Sequence, residues 1–334
     1  MSATPARAPF AWSDRSLGLL AAAITLSVWT SFILVSRASV DPGRGGGLNS
    51  FDIAYCRMVG AGLILLPWGW WMVRRDRARG TGAPSLMGLS PLPLGVTVPL
   101  GLLGGVLYAM LAYGGFMFAP AMHASVLLPG SLPLWTAVLA WWWLGDAITP
   151  LRAMSLALIV LGDLLVGGVS LVRAWDGGQS WKGDLLFMTA SCCWAAYSVL
   201  ARHYRVEAVR ATIAITVLGC LTYVPVYTVL GLLDWIPARV FDAPWPVLAR
   251  QMGFHGWGTV VIAGISFTAM IRHYGPVRST MITALVPGLS AFGAVFLLGE
   301  PLRWNLGLGL FLVTAGILFG VRAVIPKAVR AKAA

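Results

Sequence analysis

A stretch of 33 residues occurs twice in this chain. Leu132 to Leu164 (LPLWTAVLAWWWLGDAITPLRAMSLALIVLGDL) returns 154 positions later as Val286 to Leu318 (VPGLSAFGAVFLLGEPLRWNLGLGLFLVTAGIL), without a gap and with nine identities. Matches of Leu and Ala come cheaply in apolar sequence. The punctuation is more telling: Pro133/Pro287, then a Leu-Gly-acid step ending at Asp146/Glu300, then Gly162/Gly316, with one spacing in both copies. The chain is an internal duplication, and its fold has to be assembled from two related halves.

The solvent of that fold is lipid. Of the 334 residues 58% are hydrophobic and only 11% charged, where a soluble protein carries about 25% charged residues. The charges sit in short gaps between apolar runs of roughly 20 residues, the length that crosses about 30 Å of hydrocarbon. The reading is an all-α membrane protein with ten transmembrane spans: 17–37, 51–73, 94–116, 122–144, 151–172, 183–201, 211–233, 252–271, 277–298 and 304–325. With the N-terminus inside, 16 Lys and Arg fall in cytoplasmic segments and 7 outside, which places both termini in the cytoplasm. The tails are then residues 1–16 and a basic 326–334, and the first span is an uncleaved helix rather than a signal peptide. The net charge of +12 is explained by these basic ends; no basic block is interleaved with aromatics as nucleic-acid binding would want. Cys56, Cys192, Cys193 and Cys220 all lie in apolar runs without metal spacing and read as packing residues. No metal or cofactor is expected. The partners expected are the bilayer and a small-molecule substrate, in a monomer of the inner (plasma) membrane.

The duplication extends beyond its best-kept stretch. At an offset of 165, Gly18, Trp29 and Arg37 meet Gly183, Trp194 and Arg202, with Phe32 facing Tyr197; at 158, Pro67 meets Pro225. The halves are 17–172 and 183–325. Each carries five spans, an odd number, so the second enters the membrane from the opposite side. Inverted repeats are the architecture of secondary transporters, whose substrate sites lie near the midplane between the halves.

Five-plus-five spans with the signatures LPLWTAVLAWWWLGD and VPGLSAFGAVFLLGE resemble the drug/metabolite transporter superfamily, EamA family. The likeness covers about residues 17–325 and includes Arg57 in the phrase YCRMVGAGLILLP. Length and aromatic placement are also similar to YddG-type amino-acid exporters. That resemblance implies export of amino acids, aromatic ones and methionine included.

Several side chains stand out as candidates for a substrate pathway. Most of the 16 tryptophans lie at span ends, as interface anchors do. Trp29 and Trp194 instead fall near the bilayer centre, where an indole N–H needs a partner, and Phe32 and Tyr197 follow three residues on, on the same helix face. They read as walls of a central cavity or as helix packing; Tyr108, Tyr113 and Trp135 are further candidates. Arg57 and Asp163 are ionisable groups well inside spans, each costing about 2.5–3.5 kcal/mol at the membrane centre. They could pair, serve substrate or proton, or snorkel. Pro129, Pro133 and Pro287 remove backbone donors within spans and are hinges, cavity-facing carbonyls or simple helix geometry. His123 and His255 read as residues of the outer interface, with a proton relay as the alternative.

The sequence holds no HExxH, GxSxG or Walker lysine, which argues against a membrane-embedded enzyme. A phosphorylated substrate would need several desolvated cations, and only Arg57 lies inside the spans. A multidrug exporter would want more buried acids than one, and a channel would differ in showing no saturation. The reading is a secondary transporter that exports small neutral or zwitterionic metabolites, amino acids foremost, by alternating access.

Overall fold

A computed structural model describes residues 14–41, 43, 47–82 and 85–324. Most of both expected tails, 1–16 and 326–334, therefore lies outside the described residues. Within them the chain is helical, with no strand: α1 (Asp14–Val40), α2 (Ser50–Ala78), α3 (Leu94–Phe118), α4 (Ala121–Leu144), α5 (Pro150–Ala174), α6 (Ser180–His203), α7 (Ala208–Leu232), α8 (245–283), α9 (Val286–Leu298) and α10 (Trp304–Val324). Seven of these, α1 to α7, are long and apolar enough to cross a membrane; α9 and the Trp304–Gly320 part of α10 are shorter apolar helices.

Helix ends follow from local chemistry. Asn49 caps α2: its side chain accepts from the N–H groups of Phe51 (2.8 Å) and Asp52 (2.9 Å), while Asp52 Oδ2 accepts from the Asn49 N–H (2.9 Å). Asp52 Oδ1 accepts in turn from Tyr227 Oη (2.8 Å) and the Val240 N–H (3.1 Å), so the second half holds down the start of α2. α4 is interrupted between Leu127 and Leu132, where Pro129 and Pro133 cannot donate, and α7 at Thr222. Six residues of α3 (Leu102–Leu107) and eleven of α8 (Met252–Ile262) widen into π-helix, a form that is rare and frequent at functional sites. The sequence places a span boundary at 272–276, but a single helix, Ala263–Thr283, runs through Gly275 and Pro276 and stops only before Val286. A proline inside a membrane helix is tolerated where neighbours satisfy the freed carbonyl.

The repeated punctuation has a structural job at each point. Gly145 and Gly299 are left-handed (φ 70° and 63°) and end α4 and α9. In one copy the N–H groups of Gly145 and Asp146 both point to the Ala140 carbonyl; in the other, those of Gly299 and Glu300 point to Ala294. Gly162 and Gly316 let α5 and α10 touch. A Cβ on Gly162 would come within 2.6 Å of the Gly309 carbonyl and 2.7 Å of Val313; one on Gly316 would come within 2.8 Å of the Ser155 carbonyl and of Ile159. Those neighbours are themselves repeat counterparts, Ser155 with Gly309 and Ile159 with Val313.

Packing elsewhere obeys the same exchange. α1 lies on the Ala263–Thr283 part of α8 as α6 lies on the Tyr108–Phe118 part of α3. α1 also packs on α9 as α6 packs on α4, and α2 on α8 as α7 on α3. The main buried cluster is built from both halves, with Phe32, Ile53, Tyr113 and Phe116 from one and Phe187, Tyr223 and Val313 from the other.

Candidate functional site

Where the halves meet, α1, α2, α3, α4, α6, α8 and α9 line a partly open cavity of about 130 Å³. Trp29, Phe32, Arg57, Tyr108, Pro129 and Trp194 line it, together with Ile33, Leu128, Leu132, Ser191, Thr259 and Val286. The lining respects the repeat: Trp29 faces it with its counterpart Trp194, and Leu132 with its counterpart Val286.

The walls are aromatic and braced from behind. Trp194 sits between Tyr108 (centroids 4.7 Å apart) and Tyr197 (5.0 Å), and Trp29 packs on Phe267 (5.0 Å). Phe32 presents its edge to Tyr113 (5.7 Å) and His255 (6.1 Å). Thr259 lies within the π-helical part of α8, and Tyr108 is the first residue after that of α3, so one widened segment contributes to the lining and the other adjoins it.

Arg57 is the one cation in this wall. It is 9% exposed, and its Nη1 donates to Thr259 Oγ1 at 2.7 Å. Thr259 donates onward to the His255 carbonyl at 2.5 Å. Among the described residues no carboxylate lies within ion-pair distance of Arg57. A buried guanidinium without a counter-ion is costly. Here it faces a cavity, with donors left for a bidentate acceptor such as a carboxylate.

The other candidates fall outside the lining. Tyr113 is 1% exposed and stands one layer back, its Oη 2.9 Å from His255 Nδ1; Tyr197 braces Trp194. Pro133 and Pro287 are each the second residue of a helix segment, Leu132–Leu144 and Val286–Leu298, beside the lining residues Leu132 and Val286. The Trp135 indole N–H is buried without a hydrogen-bond partner among the described residues.

Asp163 is not brought to Arg57. It lines a separate cavity of about 230 Å³ between α4, α5 and α6, shared with Asp184, and neither of its oxygens has a hydrogen-bond partner among the described residues. Asp184 Oδ1 is 2.8 Å from His123 Nδ1. His255 is no interface residue: it is fully buried behind Arg57. The sequence reading missed Ser191 and Thr259, the two aliphatic hydroxyls of the lining.

Comparisons with known proteins agree with this architecture. The EamA-like transporter family matches residues 16–168 and again 181–322. A curated relative, the uncharacterized transporter YyaM of Bacillus subtilis (strain 168), is 25% identical over 243 residues, which is 69% of this chain and 74% of that protein. One solved crystal structure superposes with a TM-score of 0.54 over 92% of this chain and 98% of its own, at 19% identity, which is a likeness of fold.

Proposed function

The chain belongs to the EamA-like transporter family and is a multi-pass membrane transporter, and from that premise we propose that it exports small neutral or zwitterionic metabolites, amino acids foremost, through the cavity at Arg57. The observation that carries this reading is the guanidinium of Arg57, 9% exposed, held by Thr259 and facing a cavity with aromatic walls. The carboxylate of a substrate would complete its charge in a place shielded from water, where a charge-assisted pair is strongest. Trp29, Phe32, Tyr108 and Trp194 would take the apolar side chain, which favours aromatic amino acids and methionine. Pro129, in the interrupted turn of α4, would leave carbonyls of that turn for an ammonium group.

Transport would proceed by alternating access between two five-helix halves, 17–172 and 183–325, set in opposite senses in the inner membrane with both termini inside, in a monomer. Support comes from Arg37 and Arg202. They are counterparts in the repeat, yet Arg37 meets the acid at the first residues of α4 and Arg202 the acid just past its last. Tyr113, Tyr197, Trp135, Pro133 and Pro287 would shape the pathway from behind its lining. The test is uptake and counterflow in proteoliposomes across a panel of radiolabelled amino acids. Saturable flux of aromatic amino acids and methionine is expected; its absence for every amino acid would overturn the substrate assignment.

A further inference from the structure

Among the described residues several ion pairs join the halves, Arg210–Asp76 (2.6 Å) and His123–Asp184 (2.8 Å) included, but two of them are made of residues that the repeat equates. Arg202 Nη2 donates to Asp146 Oδ2 at 2.7 Å, and Arg37 Nε lies 3.7 Å from Glu300 Oε1. Each pair takes its cation from one half and its anion from the other. The acids hang on the same backbone device, the residue after a left-handed glycine with its N–H turned back to Ala140 or Ala294.

Their places are fixed by α4. Glu300 accepts from its first N–H groups, Ala121 (2.8 Å) and Met122 (2.9 Å), whereas Asp146 follows its last residue, Leu144. A helix of 24 residues rises roughly 36 Å. The two pairs therefore lie at opposite ends of the bundle, with the Arg57 cavity reached from α4 midway, at Leu128, Pro129 and Leu132.

We propose that Arg37–Glu300 and Arg202–Asp146 close the two mouths of the central cavity, one at each membrane face, and that they part in turn as the halves rock. This rests on the alternating-access reading. Partly exposed ion pairs contribute little each, which suits a contact that must open in every cycle. A contact bridging two moving bodies exists in one state and not in the other, and only such a difference can bias an equilibrium. Because the second pair repeats the first, losing one while keeping the other leaves states of similar energy. The closures are not equal. Arg202 and Asp146 side chains are 55% and 35% exposed, Arg37 and Glu300 30% and 11%. Glu300 also accepts from the Ala121 and Met122 N–H groups of the other half (2.8 Å and 2.9 Å), so the Glu300 end is the firmer of the two.

The test reads accessibility and needs no substrate. In full-length protein with its four cysteines replaced, Ser191→Cys puts one thiol in the cavity lining. A membrane-impermeant maleimide is then applied to right-side-out and to inside-out vesicles. Arg37→Gln should raise labelling from the Glu300 face about fivefold relative to the opposite face, the population change of about 1 kcal/mol. Arg202→Gln should shift the ratio the other way. Exchanging the charges, Arg202→Asp with Asp146→Arg, should return it to the parent value, which also shows that the fold survives. Variants that open the same face, leave the ratio unmoved, or are not restored by the exchange overturn the proposal. A transporter with no flux for any amino acid would still report here, so the two readings can fail separately.

Discussion

Arg57 Nη1 donates to Thr259 Oγ1 at 2.7 Å, tying the cation of α2 to the widened part of α8 across the wall of the cavity. Of the groups lining the cavity, this pair bears most directly on what the cavity can hold.

Arg57→Gln is expected to raise the half-saturation concentration for a carboxylate substrate by about 10- to 100-fold, the loss of a hydrogen-bonded charge pair worth about 1.5–3 kcal/mol. The corresponding amine without a carboxylate should compete equally well against variant and parent. Thr259→Val should act in the same direction and more weakly, since it frees the guanidinium without removing it. Competition against a radiolabelled substrate in proteoliposomes measures all three. An unchanged half-saturation in Arg57→Gln would take the carboxylate away from Arg57.

Trp194 rests between Tyr108 and Tyr197 and forms the aromatic wall opposite Trp29. Trp194→Ala should weaken aromatic substrates about tenfold, as loss of one ring contact and its buried area predicts, while leaving the smallest amino acids nearly unaffected. Equal losses for tryptophan and alanine would mean that the ring holds the helix, not the substrate.

Gly162→Val and Gly316→Val should each destabilise the α5–α10 contact by about 1–3 kcal/mol, the cost of overpacking. The added Cβ alone meets backbone carbonyls at 2.6 Å and 2.8 Å. Unfolding in detergent, followed by intrinsic tryptophan fluorescence, gives the difference. A Gly→Val change with no loss at either site would show that the helices can part.

Asp163 has no partner for either oxygen among the described residues and lies outside the Arg57 cavity. Asp163→Leu should therefore raise the melting temperature, because a buried polar group without a hydrogen bond costs about 1–3 kcal/mol. Substrate affinity should stay at the parent value. A lower melting temperature, or a changed affinity, would show that this carboxyl is engaged.

How much of this was legible in the sequence differs by residue. Pro133/Pro287, Gly145/Gly299 and Gly162/Gly316 stood out in the sequence as a pattern kept in both copies, while the structure supplied the backbone demand each answers: a helix start in place of the mid-span hinge expected, a left-handed cap, a close approach. Trp29 and Trp194 could be read from the repeat offset, because bulky indoles at mid-depth need a reason. Thr259 could not: its hydroxyl bonds its own preceding turn, at the His255 carbonyl, as a lone threonine in an apolar helix ordinarily does, and only the fold of the halves brings Arg57 to the same oxygen. His255 was misjudged for the same reason, since distance along a span says nothing of which side faces protein. The cross-pairing of Arg37 with Glu300 was present in pieces, as two sets of counterparts. Nothing local in the sequence says that each cation reaches for the other half's acid.

The seam of α5 and α10 has one more consequence. Gly162 lies against Gly309 and Val313, and Gly316 against Ser155 and Ile159, so the same two surfaces are used twice with their roles exchanged. That is an isologous interface, of the kind that joins the subunits of a symmetric dimer, but closed here within a single polypeptide. Each half thus carries both the surface and its complement. Either half already specifies how it would dock against a copy of itself lying in the opposite direction.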